Sequence, residues 1–345
     1  MKKKIIILIL LILMFISVAN NYYGIVNNSF FIKQLIWFIL GFLTIYLISK
    51  MNLQFIIKYS NYLYLFGSIL LFLTLLMGSY INGARIWIKI GPFSFQPSEF
   101  MKIFLILYLR KITLEYKLSD FKYILFTGII VLIPSVLTFL EPDTGAVLIY
   151  LIIWLVYLVL KKLNKWYYII STLIITICLT IFLVLYYCYQ DLFINIFGTS
   201  FFYRMDRITY FINGSGYQIG EALKSTSNSG LFGLREKVYF PESSTDFALS
   251  LLISNFGILG LILFLFLYNL LFLFLGKLKS DKYILNSVLV ILLFQYATNI
   301  LMNLGLFPII GITLPFLSYG GSSILSYMIL IGFILKEKAL VNAYL

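Results

Sequence analysis

The sequence predicts an all-α integral membrane protein: ten transmembrane helices, with a large extracellular loop at about residues 190–245 between the seventh and eighth. Two observations carry this. The 345 residues are 62% hydrophobic and only 11% charged, with a mean hydropathy of +1.00, far more apolar than a soluble domain whose surface must be solvated. The apolar residues fall in runs of roughly 20, the length that crosses a hydrocarbon core of ~30 Å, and a spanning backbone must satisfy its own hydrogen bonds, so such runs read as helices. No soluble domain, repeat or linker is left over, and residues 1–345 read as one polytopic domain.

In chain order, Met1 to Lys4 lead into the first apolar run, 5–20; its Ser17-Val18-Ala19 resembles a small-residue cleavage site, so a signal peptide is the alternative there. Spans follow at 30–48 and 60–78. A short fourth span, 98–110, opens after Pro97 and stops at Arg110-Lys111. The fifth, 121–140, ends before Pro142; the sixth and seventh cover 144–160 and 167–189. A long eighth, 246–275, then 284–303 and 318–335 complete the set.

An even number of spans puts both termini on one side, and Lys2-Lys3-Lys4 assigns that side to the cytoplasm. The loops agree. Lys50, Lys58, Arg110, Lys111, Lys161, Lys162, Lys277, Lys279, Lys336 and Lys338 fall inside, whereas among the acids only Glu115, Asp120, Asp281 and Glu337 do. The formal charge of +13 is therefore topological, and nucleic-acid binding is set aside. There is no histidine and only two cysteines, which argues against a zinc site and leaves proton chemistry to carboxylates, Lys or Tyr. Cys178 and Cys188 sit ~15 Å apart in helical rise within one apolar run, too far for a disulfide.

Three outer segments stand out: 79–97, 190–245 and 304–317. The middle one is too long for a connector, and its interleaved aromatic and basic residues at 201–212 suit a helix lying in the outer interface. Four patches at these ends bear polar chemistry. In Gln96-Pro97-Ser98-Glu99-Phe100-Met101-Lys102, Pro97 and Glu99 suit a helix start. Lys102 does not: it lies one turn inside an apolar run, on the face of Glu99, and an ionisable group there faces either a polar cavity or a structural ion-pair partner. In Glu141-Pro142-Asp143-Thr144-Gly145, Asp143 is either the cap of the sixth span or part of a polar site. In Pro241 to Phe247, Thr245 reads as the N-cap of the eighth span and Asp246 as its first-turn acid, with a catalytic role as the alternative. In Pro308 to Ser323, prolines and glycines break the helix, and Ser318, Ser322 and Ser323 offer hydroxyls at a helix start to an oxygen-rich or phosphorylated ligand. Together the patches line one outward-facing polar cavity.

With these residues in view, the chain resembles the SEDS family of bacterial cell-wall proteins, which includes RodA, FtsW and SpoVE. The resemblance rests on Asn82-Gly83-Ala84-Arg85 with Gln96 to Phe100, Glu141 to Gly145, Pro241-Glu242 with Thr245-Asp246-Phe247, and Gly311 to Ser323, in family order along nearly the whole chain. Gly91-Pro92-Phe93 leans towards the RodA-like members. The resemblance implies a peptidoglycan glycosyltransferase that polymerises lipid II at the outer face of the bacterial cytoplasmic membrane and pairs with a class B penicillin-binding protein, the transpeptidase. It places the family's essential loop aspartate on Asp246, as base or positioning group for the attacking hydroxyl. Arg85, Lys102, Arg204 and Arg207 are candidates to meet the leaving pyrophosphate, Arg85 and Lys102 within the matching patches; Glu99 and Asp143 complete the substrate-binding set. A divalent cation such as Mg2+ at the pyrophosphate is the one cofactor to consider. Where the family has histidine this chain has Ser244, and where it has acids, Ser254-Asn255.

Two other classes compete. A lipid II flippase would need polar groups along a path open to both sides, whereas the unusual acids here cluster outside. A scaffold that only recruits a synthase would make Asp246 dispensable.

Overall fold

The computed structural model describes residues 2–24, 29–81, 84–91, 93–198, 209, 211, 216–234 and 237–336. In chain order the elements are α1 (Lys2–Gly24), α2 (Ser29–Lys50), α3 (Leu53–Lys58), α4 (Ser60–Met77), β1 (Ser79–Ile81), β2 (Ala84–Ile90), β3 (Phe93–Phe95), α5 (Pro97–Glu115), α6 (Asp120–Leu140), α7 (Thr144–Lys161), α8 (Lys165–Cys188), α9 (Gln190–Phe197), α10 (Tyr217–Ser227), α11 (Ala248–Gly276), α12 (Lys282–Asn303) and α13 (Gly321–Lys336). Among the described residues seven helices, α1, α2, α4, α6, α7, α11 and α12, are long and apolar enough to cross a membrane. The protein is a multi-pass membrane protein. The three strands form a small antiparallel sheet in the order β1-β2-β3, pairing Ile88 with Phe95 and Ile90 with Phe93.

Each of the ten apolar runs lies on a helix; the first lengthens to Lys2–Gly24, and three others change boundary for reasons the contacts show. Helix α5 runs on to Glu115 instead of stopping at Arg110. Arg110 is not a solvated helix end: its guanidinium is buried and paired with Asp281, so the helix continues past it, with Ile112 and Thr113 still inside. Helix α13 starts at Gly321, because Ser318 to Gly320 belong to the preceding turn. Helix α11 starts at Ala248 and breaks at Gly257, whose φ of 66° and ψ of −163° are outside the helical range. The break frees backbone groups, and residues 229–234 satisfy them: Ile258 N donates to Gly230 O (3.1 Å), and Leu234 N donates to Ser254 O (2.7 Å). A Cβ on Gly257 would collide with the backbone of Leu231 and Gly233.

The helices divide by environment. On α2 and α4, Leu43, Leu47, Leu65, Phe66 and Leu76 are exposed, the pattern of lipid-facing surface. Helices α5 and α13 are instead enclosed by protein on nearly every face, α5 packing on α4 and α7 and α13 on α2. Gly321 lets the start of α13 come so close to Trp37 that any Cβ there would enter the ring. Charged groups on α5 are thereby removed from lipid, and the site is built on these two helices.

Candidate active site

At the start of α5, Pro97 takes the first helical position and Gln96 precedes it. Gln96 donates its backbone N–H to Ser322 Oγ (2.9 Å) and its side-chain amide to Asp143 Oδ2 (2.9 Å). Ser98 Oγ donates to the same oxygen, also at 2.9 Å. Asp143 Oδ1 meanwhile accepts from Ala146 N (3.0 Å) and caps α7. The cap reading of Asp143 holds: one oxygen caps its own helix, and the other ties the entrance of α5. Desolvation pushes the half-buried Asp143 carboxyl above its ordinary range, against the pull of Ala146, Ser98 and Gln96.

One turn further, Lys102 is 1% exposed. Its Nζ contacts Glu99 Oε2 at 2.5 Å and sits 3.8 Å from the centroid of the Tyr327 ring. Ser326 Oγ donates to Glu99 Oε2 at 3.0 Å. The cation is thus held between a carboxylate of its own helix and the face of a tyrosine on α13.

The second centre is the turn at 241–247. Thr245 is not the N-cap and Asp246 is not in the first turn of α11: the cap position is Phe247, whose side chain makes no cap hydrogen bond. The reason is that Thr245 is already committed. Its hydroxyl donates to Glu242 Oε2, and its carbonyl accepts from Ser318 Oγ (2.6 Å). Asp246 is half-buried at the surface of this turn, while Phe247 is buried and anchors it, packing edge-on against Phe240 beside Ile219 and Leu251. Glu242 and Phe316 both have left-handed backbones, φ 55° and 65°, unusual for residues with a Cβ. Tyr319 N donates to Ser244 O at 2.7 Å, so the turn at 314–319 is docked directly on the Asp246 turn.

Residues 313–326 join the two centres. Ser318 holds the carbonyl of Thr245, Ser322 receives the amide of Gln96, and Ser326 reaches Glu99. Ser323 Oγ lies 3.4 Å from Thr313 Oγ1. Ser318 and Ser322 therefore have a structural use beside the ligand-binding one expected of them. Arg85 is exposed on β2, and among the described residues no hydrogen bond or ion pair joins it to the Glu99–Lys102 cluster. Arg204 and Arg207, Asn82-Gly83, Arg235-Glu236, Glu337 and Lys338 lie outside the described residues, as does the expected interfacial helix at 201–212 except for Thr209 and Phe211.

Sequence reasoning missed the polar side chains that fix the loop backbones. Ser17 Oγ donates to Leu317 O (2.8 Å), Gln34 to Ser318 O (3.0 Å) and Asn20 to Ala248 O (3.0 Å). Asn299 and Asn303 reach the carbonyl of Asp246 at 3.0 and 3.2 Å. The available signal was periodicity: Ser17, Asn20 and Asn21 recur at i, i+3, i+4 in an apolar run, and Asn299 and Asn303 at i, i+4. Asn255, standing where an acid was expected, donates to Asn20 Oδ1 (2.9 Å), and Ser254 bonds Ser225 (2.6 Å), so neutral contacts hold α11 to α1 and α10. Chemically, the arrangement presents a carboxylate on a pinned turn and a buried cation, both fastened to one segment. Among the described residues no group of three or more His, Cys, Asp or Glu side chains is arranged to hold a metal ion.

Comparison with known proteins gives the same outline. The FtsW/RodA/SpoVE family model, described as cell cycle protein, matches residues 2–341. The probable peptidoglycan glycosyltransferase FtsW of Coxiella burnetii is 32% identical over 89% of this chain and 86% of its own length. Stage V sporulation protein E of Bacillus subtilis is 30% identical over 90% and 87%. Among solved structures, a chain from a peptidoglycan synthase complex that coordinates polymerization and crosslinking superposes with a TM-score of 0.80 at 25% identity, covering 96% of this chain and 95% of that one. The rod shape determining protein RodA of Thermus thermophilus gives 0.68 at 25% identity, covering 96% and 94%.

Proposed function

The chain belongs to the FtsW/RodA/SpoVE family, and from that premise we propose that it is a peptidoglycan glycosyltransferase polymerising lipid II at the outer face of the cytoplasmic membrane, with Asp246 as its catalytic carboxylate. In the reaction the 4-hydroxyl of an acceptor GlcNAc attacks C1 of a donor MurNAc. Its proton passes to the Asp246 carboxylate as the new C–O bond forms, and the bond from C1 to the pyrophosphate oxygen breaks, with undecaprenyl pyrophosphate taking the electron pair. A carboxylate is the natural base in a chain with no histidine. The departing pyrophosphate gains charge, which a fixed cation in a water-poor site stabilises; Lys102, held by Glu99, fills that role.

One observation carries the reading: the turn bearing Asp246 and the helix bearing Lys102 are both bonded to the segment 313–326, so base and cation share one frame. Orientation follows the charge pattern, with both termini cytoplasmic and the 190–245 segment extracellular, facing substrates in the outer leaflet. A class B penicillin-binding protein is the proposed partner, supported by the likeness to a chain of a peptidoglycan synthase complex. No step is routed through a metal; a divalent cation such as Mg2+ would be bound through the substrate's own pyrophosphate, and a chelator titration tests for it.

The decisive measurement uses purified wild type and Asp246→Ala, each with its partner, on fluorescent lipid II, read as glycan ladders. Ladders from wild type alone are expected. Equal ladders from both would overturn the catalytic assignment and favour a scaffold or a flippase.

A further inference from the structure

The junction between Asp246 and α11 is held from a different helix. A helix start leaves its first N–H groups unpaired, and the residue at the cap position ordinarily bonds the amide three residues on. Here the cap position is Phe247, which has no acceptor to offer, and the amide three residues on is Ser250. Asn303 of α12 takes its place: Asn303 Oδ1 accepts from Ser250 N (2.9 Å) and from Ser250 Oγ (2.7 Å). The amide that a carboxylate at this junction would ordinarily cap is therefore already occupied.

The same two asparagines hold the carbonyl on the other side of the junction. Asn299 Nδ2 donates to Asp246 O (3.0 Å) and to Ile312 O (2.9 Å), using both hydrogens of its amide. Asn303 Nδ2 shares its two hydrogens among Asn299 O (2.8 Å), Asn299 Oδ1 (3.0 Å) and Asp246 O (3.2 Å), so Asn299 makes the shorter bond to Asp246 and Asn303 supports it. Both residues are buried, so an amide that turned away would leave polar atoms unpaired in a dry interior. The pair behaves as one rigid bracket, with Asp246 between a donor on its own carbonyl and an acceptor on the first turn that follows.

Resting on the reading of Asp246 as the reactive carboxylate, we propose that Asn299 and Asn303 are positioning residues of this enzyme: they act through Asp246, by fixing its backbone and by capping α11 in its place. Asn303→Asp separates the two duties. It keeps the shape and the acceptor for Ser250, an arrangement at least as good for capping, but loses the donor to Asp246.

The test measures lipid II polymerisation by the protein with its partner, as kcat and KM, together with melting temperature, for Asn299→Ala, Asn303→Asp and Asp246→Ala. A misplacement of the reacting group of about 1 Å is worth on the order of a hundredfold in rate. Both asparagine variants are accordingly expected to lose about ten- to a hundredfold in kcat per folded molecule with KM little changed, and Asn303→Asp to melt below wild type, because its new oxygen faces the carbonyls of Asp246 and Asn299. In an Asp246→Glu background, where the carboxylate is already displaced, Asn299→Ala is expected to add little further loss. Should Asn303→Asp turn over like wild type while Asp246→Ala is inactive, the bracket is only a cap and the proposal fails, with the catalytic reading intact. Should Asp246→Ala itself polymerise normally, the reading beneath the proposal fails. If Asn299→Ala does not fold, the shape-conserving Asn303→Asp decides alone.

Discussion

Helix α5 carries a buried ion pair at each end, and the two are built differently. Near its start Glu99 and Lys102 pair within one turn of one helix. Arg110, about 16 Å further along the axis, pairs with Asp281, which is 171 residues away in sequence, at 2.9 Å. Both oxygens of Asp281 are spent: Oδ2 accepts from Arg110, and Oδ1 caps α12 through Tyr283 N (3.0 Å) and Ile284 N (3.3 Å). The Tyr157 ring stacks on Tyr283 at 5.5 Å beside it. This pair is a clip between α5 and α12. The Glu99–Lys102 pair lies within α5 and reaches α13 only through neutral groups, the Ser326 hydroxyl on Glu99 and the Tyr327 ring under Lys102. Unlike the Arg110–Asp281 clip, it is linked to another helix by neutral groups alone, the arrangement expected of a pair kept for the proposed chemistry.

The comparison breaks first at Lys102. Removing the lysine alone would strand Glu99, so the informative variant is the neutral pair Glu99→Gln with Lys102→Met. Replacing a buried ion pair by groups of similar volume is close to neutral for stability, while loss of one preorganised charge-stabilising donor costs about 100- to 1,000-fold in kcat. The double variant should melt like wild type and yield almost no glycan ladder. Normal ladders would reduce the pair to a second clip.

At the other end the signs reverse. Arg110→Met leaves Asp281 buried without its cation, a loss of about 3–5 kcal/mol of stability. Activity should fall only with the folded fraction, so turnover per folded molecule at low temperature stays at the wild-type value. A specific loss of kcat in well-folded Arg110→Met would show that both ends of α5 serve the reaction.

How far each end could be read from sequence follows the same division. Glu99 and Lys102 lie one turn apart in an apolar run, and that local spacing announces the pair. Asp143 as a cap was legible in the same way, from Pro142-Asp143-Thr144-Gly145. Arg110 looked like the cytoplasmic end of a short span because nothing near it in sequence reveals Asp281. Thr245 satisfied every local rule for a helix cap and lost the position to contacts with Glu242 and Ser318 that only the folded chain supplies. The proposed catalytic role of Asp246 came from resemblance, since residue physics alone left it as a first-turn acid. The backbones around it are fixed by Asn20, Asn299, Asn303 and Ser318, whose partners are carbonyls, and carbonyls have no sequence signature.

A third buried acid, with no salt-bridge partner among the described residues, sharpens the contrast by the smallest effect. Glu141 is fully buried, and among the described residues neither carboxyl oxygen has a hydrogen-bond partner. Burial, with the Asp143 charge adding to it, pushes the Glu141 carboxyl from 4.5 up to about 8. At neutral pH it is therefore an uncharged acid, and Glu141→Gln should polymerise lipid II at the wild-type rate. Stability carries the signature instead. The folded state holds this proton and the unfolded state releases it above about 4.5, so the contribution of Glu141 is fully present below that pH. It is lost progressively as pH rises towards and through about 8. The glutamine variant has no proton to lose. Its melting temperature should match wild type near pH 5, exceed it by a growing margin up to about pH 8 and keep a constant lead beyond. Parallel melting profiles across the whole range would mean that Glu141 is ionised inside the fold, and that a cation or a chain of donors reaches it as Lys102 reaches Glu99.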